Sequence, residues 1–520
     1  MNSSTKLAHS VIRDLIEVGV SNFVISPGSR NAPLLIALNE ASEKQLIDLH
    51  VKIDERGAAF FALGIAKASN NYAVVICTSG TAAANFHPAA LEALHSNSKL
   101  LIITADRPER LRKTGSNQTT NQVGIYSLIK THDLATSIQI KPLLNGGPVH
   151  LNVQFDEPLL SNVKDSWLSG IKVTPAEYKN NVTGKLEVTT GVLVIGHDRA
   201  GYEVSEVNEF ASKLNWPVIA EDPISFPQAI AHTPLFLSDE KIREKLAPES
   251  IIVIGRTTLS RSTNNFIQLA NKVIVIDPRI SSIDDKRQAD LLLTNLPSEV
   301  TSSSSDTKIW QNILELAASQ IKEIKWSEQL AAITICKLLP NDSALFVGSS
   351  RPVRDIEAFA APRSGVDVFA NRGLAGIDGN ISTAFGIATK YKSSSAIMGD
   401  LTFLHDISAL ANKSKENLRI YVIDNNGGGI FSTLPQAEVE NFDQLFGTPH
   451  NLDLTKVVAG FGVSVSKVSD LKQLQTAISK PIKGLDVVVV EVPSRESNAE
   501  GLKEITQRVS RAVRIGINLA

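Results

Sequence analysis

The sequence predicts an α/β protein of three doubly wound parallel-sheet domains. Three observations lead there. Short apolar, β-rich runs alternate with helical patterns along the whole chain, as parallel sheets covered by helices require. The length of 520 residues exceeds what one domain usually holds, and about three domains is the matching expectation. Two polar stretches, 160–188 and 301–308 (TSSSSDTK), mark the joints.

The elements follow in order. The first third offers strands at NFVIS (22–26), AVVIC (73–77), LLIIT (100–104) and VHLNV (149–153), with helical patterns at 55–69 and 81–95. Residues 160–188 read as a linker. A second set begins at GVLVIG (191–196) and continues with PVIAE (217–221), SIIVIG (250–255) and KVIVID (272–277). A helical stretch at 309–338 leads to ALFVG (344–348), VDVFA (366–370), SAIMG (395–399), RIYVID (419–424) and DVVVVEV (486–492). The expected domains are 1–180, 188–308 and 330–520. The first and third have similar element spacing, without a visible sequence repeat.

Composition narrows the function classes. Lys+Arg number 52 and Asp+Glu 54, a net charge of −2; no basic excess points to nucleic acid and no charge block forms a tail. Cys77 and Cys336 are isolated, so neither a zinc site nor a disulfide framework is expected, and Cys77 reads as a small core residue. No apolar run is long enough to span a membrane. The N-terminal segment is amphipathic and lacks a signal-peptide core, so the expected location is the cytoplasm.

The most informative local pattern is a strand ending at Gly399, followed by Asp400, Leu401 and a helical run. A helix N-terminus offers free N–H groups and a positive dipole end to a diphosphate. Gly399 lets backbone approach closely, and Asp400 supplies the hard oxygen that Mg²⁺ prefers. The next strand, RIYVID, runs into Asn425-Asn426-Gly427-Gly428-Gly429. Parallel strands present such residues at their carboxyl edge, where ligands bind. Asp400, Asn426 and a backbone carbonyl at Gly428 can therefore meet one ion. Taken singly, Asp400 would be a helix cap and the Asn/Gly run a turn. Together they resemble the thiamine-diphosphate fingerprint, Gly-Asp-Gly followed some two dozen residues later by Asn-Asn, with Leu401 in the place of the second Gly.

That resemblance implies a carboxyl group beside N1′ of the aminopyrimidine, at the start of a helix in the N-terminal domain. Asp54-Glu55-Arg56-Gly57 before AAFFALGIAKAS fits. On such an apolar helix a carboxyl group can be partly desolvated, which suits proton sharing near neutral pH. Spacing favours Glu55, with Asp54 the competitor; an acidic pair favouring a helix N-terminus is the ordinary alternative.

Further motifs narrow the family: Ser26-Pro27-Gly28-Ser29-Arg30, Thr78-Ser79-Gly80-Thr81, Thr104-Ala105-Asp106-Arg107-Pro108, Asn117-Gln118, Asn371-Arg372-Gly373, Gly376-Ile377-Asp378-Gly379, and Gly428-Gly429-Ile430-Phe431 with Leu434-Pro435. These resemble the MenD family, 2-succinyl-5-enolpyruvyl-6-hydroxy-3-cyclohexene-1-carboxylate synthase of menaquinone and phylloquinone biosynthesis. Gly-Asp-Leu is common there, so Leu401 supports the resemblance; Asn31 stands where the family often has Ser. The resemblance implies the three-domain fold of the thiamine-diphosphate enzymes, and thiamine diphosphate with Mg²⁺ (or Mn²⁺) as cofactors. It also implies 2-oxoglutarate and isochorismate as substrates, joined with loss of CO₂ in a Stetter-like addition. In the superfamily the cofactor bridges the N-terminal domain of one subunit and the C-terminal domain of another, so a homodimer or dimer of dimers is implied.

By the same resemblance, Glu55 is catalytic. Ile377, Gly399, Asp400, Leu401, Asn426 and Gly428 hold the cofactor, with Asp400, Asn426 and Gly428 on the metal. Ser29, Arg30, Arg107, Asn117, Gln118, Ser350, Arg354, Arg372, Ile430, Phe431 and Leu434 meet substrate. Arginine suits anionic substrates, since its fork binds carboxylates bidentately. Ser350 and Arg354 are four apart and can share a helix face; Arg351 is the nearest alternative. Singly, each Arg would be a surface residue and each apolar residue core packing. Two rivals stand beside this reading. A carboligase resembling acetolactate synthase could bind FAD or ADP in its middle domain, although GVLVIGHD lacks a GxGxxG fingerprint. A non-catalytic protein could also use the same scaffold.

Overall fold

Unbroken apolar runs, buried on both faces, form the central strands of three parallel sheets. The computed structural model describes residues 1–161, 165–175, 184–196, 198–279, 288–412 and 415–519. The chain divides into two compact units.

One unit comprises Met1–Lys179, Gly373–Tyr391 and His405–Glu416. Its sheet contains β1 (Asn22–Ile25), β2 (Asp48–Val51), β3 (Ala73–Cys77), β4 (Leu100–Asp106), β5 (Thr131–Leu134) and β6 (Val149–Gln154). The order is β2-β1-β3-β4-β6-β5, and every pairing is parallel. Helices Ser3–Glu17 and Ala32–Glu43 bury Leu7, Ile12, Leu15, Leu34 and Leu38 in a core with Phe23, Ile76 and Ile103. Helix Glu55–Ser69 buries a run of ten residues, Gly57 to Ala66. Helix Asn380–Ala388 packs on it so closely that backbone meets backbone. A Cβ on Gly64 would lie 2.1 Å from the Thr383 carbonyl oxygen, and one on Gly386 2.0 Å from that of Phe61. Only glycine permits this approach.

The other unit comprises Asn180–Arg372, Lys392–Leu404 and Asn417–Ala520. It contains β7 (Lys185–Glu187), β8 (Gly191–Ile195), β9 (Val218–Ala220), β10 (Ser250–Ile254), β11 (Lys272–Ile276), β12 (Leu291–Leu293) and β13 (Glu299–Thr301). Five of these form a parallel sheet in the order β12-β11-β10-β8-β9, while β7 and β13 pair separately. Part of the stretch expected as linker is thus a strand, β7; residues 162–164 and 176–183 of it lie outside the described residues. The remaining strands are β14 (Ser343–Val347), β15 (Val366–Ala370), β16 (Ser394–Gly399), β17 (Leu418–Asp424), β18 (Ser464–Val468) and β19 (Leu485–Glu491). Their order, β15-β14-β16-β17-β19-β18, repeats that of the first sheet strand for strand. The similar spacing of elements in the two ends of the chain therefore reflects one shared topology.

In both six-stranded sheets the order reverses beside the first strand. Such a switch point opens a crevice at the carboxyl ends of the strands. The motif residues leave the sheets at those ends. Ser26–Arg30 follow β1, Glu55 follows β2, Thr78–Thr81 follow β3 and Arg107 follows β4. In the last sheet Ser350 follows β14, Arg372 follows β15, Asp400 follows β16 and Asn425-Asn426 follow β17.

Candidate active site

The metal-binding candidates meet at the β16 and β17 ends. Asp400 begins helix Asp400–His405 and is 1 % exposed. Its Oδ1 accepts the Leu401 N–H at 2.6 Å, and its Oδ2 accepts that of Gly427 at 2.8 Å. The carboxylate is thereby pinned to the glycine run. Asp424, the last residue of β17, lies beside it. Burial, then the Asp400 charge, pushes the Asp424 carboxyl above its ordinary value. His450 Nε2 is 3.4 Å from Asp400 and 3.6 Å from Asp424, and the neighbouring Asp400 carboxylate raises its imidazole. One ligand atom from each of Asp400, Asp424 and His450 lies within 4.8 Å of the others. A cleft of about 670 Å³ opens at this edge, lined by Asp424, Asn425, Asn426, His450 and Arg495 among others.

The two asparagines behave differently. Asn426 adopts φ +61° and pairs with Asn451: its amide donates to Asn451 Oδ1 at 2.9 Å, and its Oδ1 accepts the Asn451 N–H at 2.8 Å. Asn425 donates to Glu328 at 3.3 Å, while its Oδ1 is buried without a hydrogen-bond partner among the described residues. The Gly428 carbonyl accepts the Phe431 N–H at 3.1 Å. These groups fit a hard divalent cation: two crowded carboxylates, an orphaned amide oxygen and a carbonyl with a second lone pair. Sequence reasoning did not pick Asp424, Asn425 or His450. Asn425 is the first Asn of the motif and Asp424 adjoins it; His450 sits in a later loop and carries no local signal. Ile430, Phe431 and Leu434 are half-buried around a 3₁₀ turn (Phe431–Thr433), and Phe431 packs on Phe446 with ring centroids 5.5 Å apart.

A second group in this unit gathers around helix Arg351–Phe359. Ser350 enters it at φ +74°, a strained value for a residue with a side chain. Arg354 Nη1 donates to the Ser350 carbonyl at 2.8 Å. Arg351 is bound to Glu328 and Asp355 and buried in that pairing, which favours Arg354 as the group free for a ligand. Arg372 is 3 % exposed and paired with Glu221.

In the other unit, Asp54 caps helix Glu55–Ser69: it accepts the Gly57 N–H at 3.3 Å and the Ser408 hydroxyl at 2.7 Å. Both its oxygens are therefore engaged. The Glu55 side chain is half-buried and has no hydrogen-bond partner among the described residues, which distinguishes it from its competitor. Arg56 clamps the same turn by donating to the His405 carbonyl at 2.8 Å.

At the β1, β3 and β4 ends, Arg107 Nη1 donates to Ser79 Oγ and to the Gln118 carbonyl, both at 3.0 Å. Gln118, at φ +52°, donates back to the Ser79 carbonyl at 2.9 Å. Arg30 pairs with Glu157 at 3.2 Å. Burial, then the nearby Arg30 charge, lowers the Arg107 guanidinium from its ordinary value, so two cations share this edge. Ser29 and Asn117 are exposed and make no side-chain hydrogen bond among the described residues. Ile377, half-buried, lies on the loop before helix Asn380–Ala388; Glu92 anchors this loop by accepting the Gly373 and Leu374 N–H groups, each at 2.8 Å.

Comparison with known proteins gives the family. Residues 5–125 match the thiamine pyrophosphate enzyme N-terminal TPP-binding domain, 161–347 the middle domain and 353–492 the C-terminal TPP-binding domain. The chain is similar to three curated proteins called 2-succinyl-5-enolpyruvyl-6-hydroxy-3-cyclohexene-1-carboxylate synthase. That of Nocardioides sp. is 36% identical over 96% of this chain and 97% of its own length. That of Lysinibacillus sphaericus is 34% identical over 97% and 98%. That of Thermobifida fusca is 32% identical over 99% and 100%. By full-length similarity and by all three domains, the chain belongs to the 2-succinyl-5-enolpyruvyl-6-hydroxy-3-cyclohexene-1-carboxylate synthase family of thiamine pyrophosphate enzymes.

Proposed function

We propose that this chain decarboxylates 2-oxoglutarate and adds the succinyl unit to isochorismate in a Stetter-like 1,4-addition, using thiamine diphosphate and Mg²⁺. The observation that carries the reading is the buried Asp400 edge, in a chain matched over its whole length by synthases of this reaction. Thiamine diphosphate, when bound, supplies the nucleophilic carbon that takes up and transfers the succinyl unit.

The protein groups divide the remaining work. Asp400 and Asn426, with the Gly428 carbonyl, hold the metal, and the buried oxygen of Asn425 makes it a further candidate ligand. Mn²⁺ meets the same oxygen donors. Gly399 and Leu401 border the diphosphate. Glu55 shares a proton with the aminopyrimidine, a role supported by the lack of a side-chain hydrogen-bond partner among the described residues, and Ile377 supports the bent cofactor. Arg30 and Arg107, with Ser29, Asn117 and Gln118, form one cationic edge for anionic substrates. Arg354 and Arg372, with Ser350, form another. Ile430, Phe431 and Leu434 form an apolar wall.

The domain limits 1–180, 188–308 and 330–520 are supported by one main sheet in each. A homodimer with the site at the subunit interface is supported by the exposure of Val51 (56 %) and Ile53 (76 %) just before Glu55. Among the described residues no helix is long and apolar enough to cross a membrane. The proposed location is the cytoplasm, in keeping with two buried free thiols.

Calorimetric titration with thiamine diphosphate tests the cofactor site. Binding should require Mg²⁺ and vanish in Asp400→Ala. Undiminished, metal-independent binding by that variant would remove Asp400 from the site.

A further inference from the structure

One strand of the middle sheet ends on a carboxylate. β9 runs into Glu221, which is 2 % exposed. Glu221 Oε1 accepts from Arg372 Nε at 2.8 Å, and Oε2 accepts from Nη2 at 3.3 Å. A guanidinium carries five N–H donors in a planar fork. The side-on grip uses the Nε hydrogen and one of the two on Nη2. The end-on edge, formed by Nη1 and the second Nη2 hydrogen, is left over. Nη1 is buried without a hydrogen-bond partner among the described residues. An unpaired buried donor on a charged group is costly in a finished structure. The free edge has the spacing that grips a carboxylate bidentately.

The surroundings are built for an anion as well. Arg354 lies near enough for the Arg372 charge to act on it: burial first, then Arg351 and Arg372, lowers its guanidinium from the ordinary value. Glu357, one helical turn beyond Arg354, is 3 % exposed, and its Oε1 also has no hydrogen-bond partner among the described residues. Burial, then the Glu221 charge, pushes the Glu357 carboxyl well up.

We propose that Glu221 is a positioning residue that, by gripping Arg372 side-on, fixes which edge of the guanidinium meets a substrate carboxylate. The middle domain thereby takes part in the active site. The inference rests on Arg372 being a substrate contact, as read above.

The test is steady-state kinetics on the cofactor-loaded enzyme, with KM measured separately for 2-oxoglutarate and isochorismate. Arg372→Lys should raise KM for one of the two. Glu221→Gln should raise the same KM by about 10- to 100-fold, the usual size of a misplaced positioning group. The other KM and the affinity for thiamine diphosphate should stay within about twofold, and the double variant should be no worse than Arg372→Lys alone. A purely structural ion pair would instead affect both substrates and the cofactor together, or neither. Should Glu221→Gln fail to fold, Glu221→Asp keeps the charge on a shorter arm and should raise the same KM by a smaller factor. If Arg372→Lys moves a KM that neither Glu221 variant moves, or if the effects multiply in the double variant, the inference is overturned while the Arg372 reading stands. If Arg372→Lys moves neither KM, the reading of Arg372 fails, and the inference with it.

Discussion

Glu92→Gln should loosen the loop that carries Ile377, by an amount the geometry sets. Glu92 lies on helix His87–Ser96 and is 3 % exposed. Each of its oxygens accepts one backbone N–H, from Gly373 and Leu374, and Lys67 approaches Oε1 at 3.4 Å. A carboxamide keeps one acceptor and turns an NH₂ towards the other N–H. One charge-assisted bond is lost, worth about 2–3 kcal/mol when the orphaned group stays buried. Native-state hydrogen exchange reads this directly. If local opening governs exchange, the Gly373 and Leu374 amides should exchange about 30- to 150-fold faster, since each 1.4 kcal/mol is tenfold. Amides of the central strands β3 and β4 should keep their rates. Exchange at 373–374 within about threefold of the parent would mean that the carboxylate does not hold the loop, and the reasoning fails.

Three other outcomes are expected. Glu55→Gln should cut turnover by at least about 100-fold while thiamine diphosphate still binds; near-normal turnover would exclude Glu55 from proton sharing. His150 should make the protein acid-sensitive. Thr104 donates its hydroxyl hydrogen to Asn152, so it accepts from His150 Nε2, and the neutral ring is held between Thr104 and Thr131. Burial lowers its folded pKa to about 3 from 6.5. The unfolded chain therefore binds the proton first, and stability is lost as pH falls from about 6.5 towards 3, by on the order of 4 kcal/mol. Urea midpoints against pH should show a flatter acid limb in His150→Gln than in the parent. Gly386→Val should lower stability by about 1–3 kcal/mol by wedging apart two helices in backbone contact. Gly460→Ala, where an added Cβ meets no atom within 4 Å, should leave the urea midpoint unchanged.

Long buried runs were legible because strands covered on both faces need nearly every residue apolar. β3, β4, β10 and β17 are such strands. β2 (DLHV), β5 (THDL) and β18 (SVSKV) were not seen: they are partly exposed, and their polar residues mimic loops. The strand-end positions of Asp400 and Glu55 were legible because such positions carry a local motif. Spacing already favours Glu55 over Asp54; three dimensions add that Ser408 and Gly57 take up the Asp54 oxygens. Glu221 was hidden for a different reason. Its partner Arg372 lies 151 positions away, and the strand that delivers it carries no motif. Asn425 and Asn426 are adjacent and chemically identical, so only burial and partners tell them apart.

The most direct measurement is product formation. Purified protein given thiamine diphosphate, Mg²⁺, 2-oxoglutarate and isochorismate should consume the two substrates one to one, release CO₂ and form the 2-succinyl-5-enolpyruvyl-6-hydroxy-3-cyclohexene-1-carboxylate adduct. Folded, cofactor-loaded protein that forms no adduct from them would contradict the account.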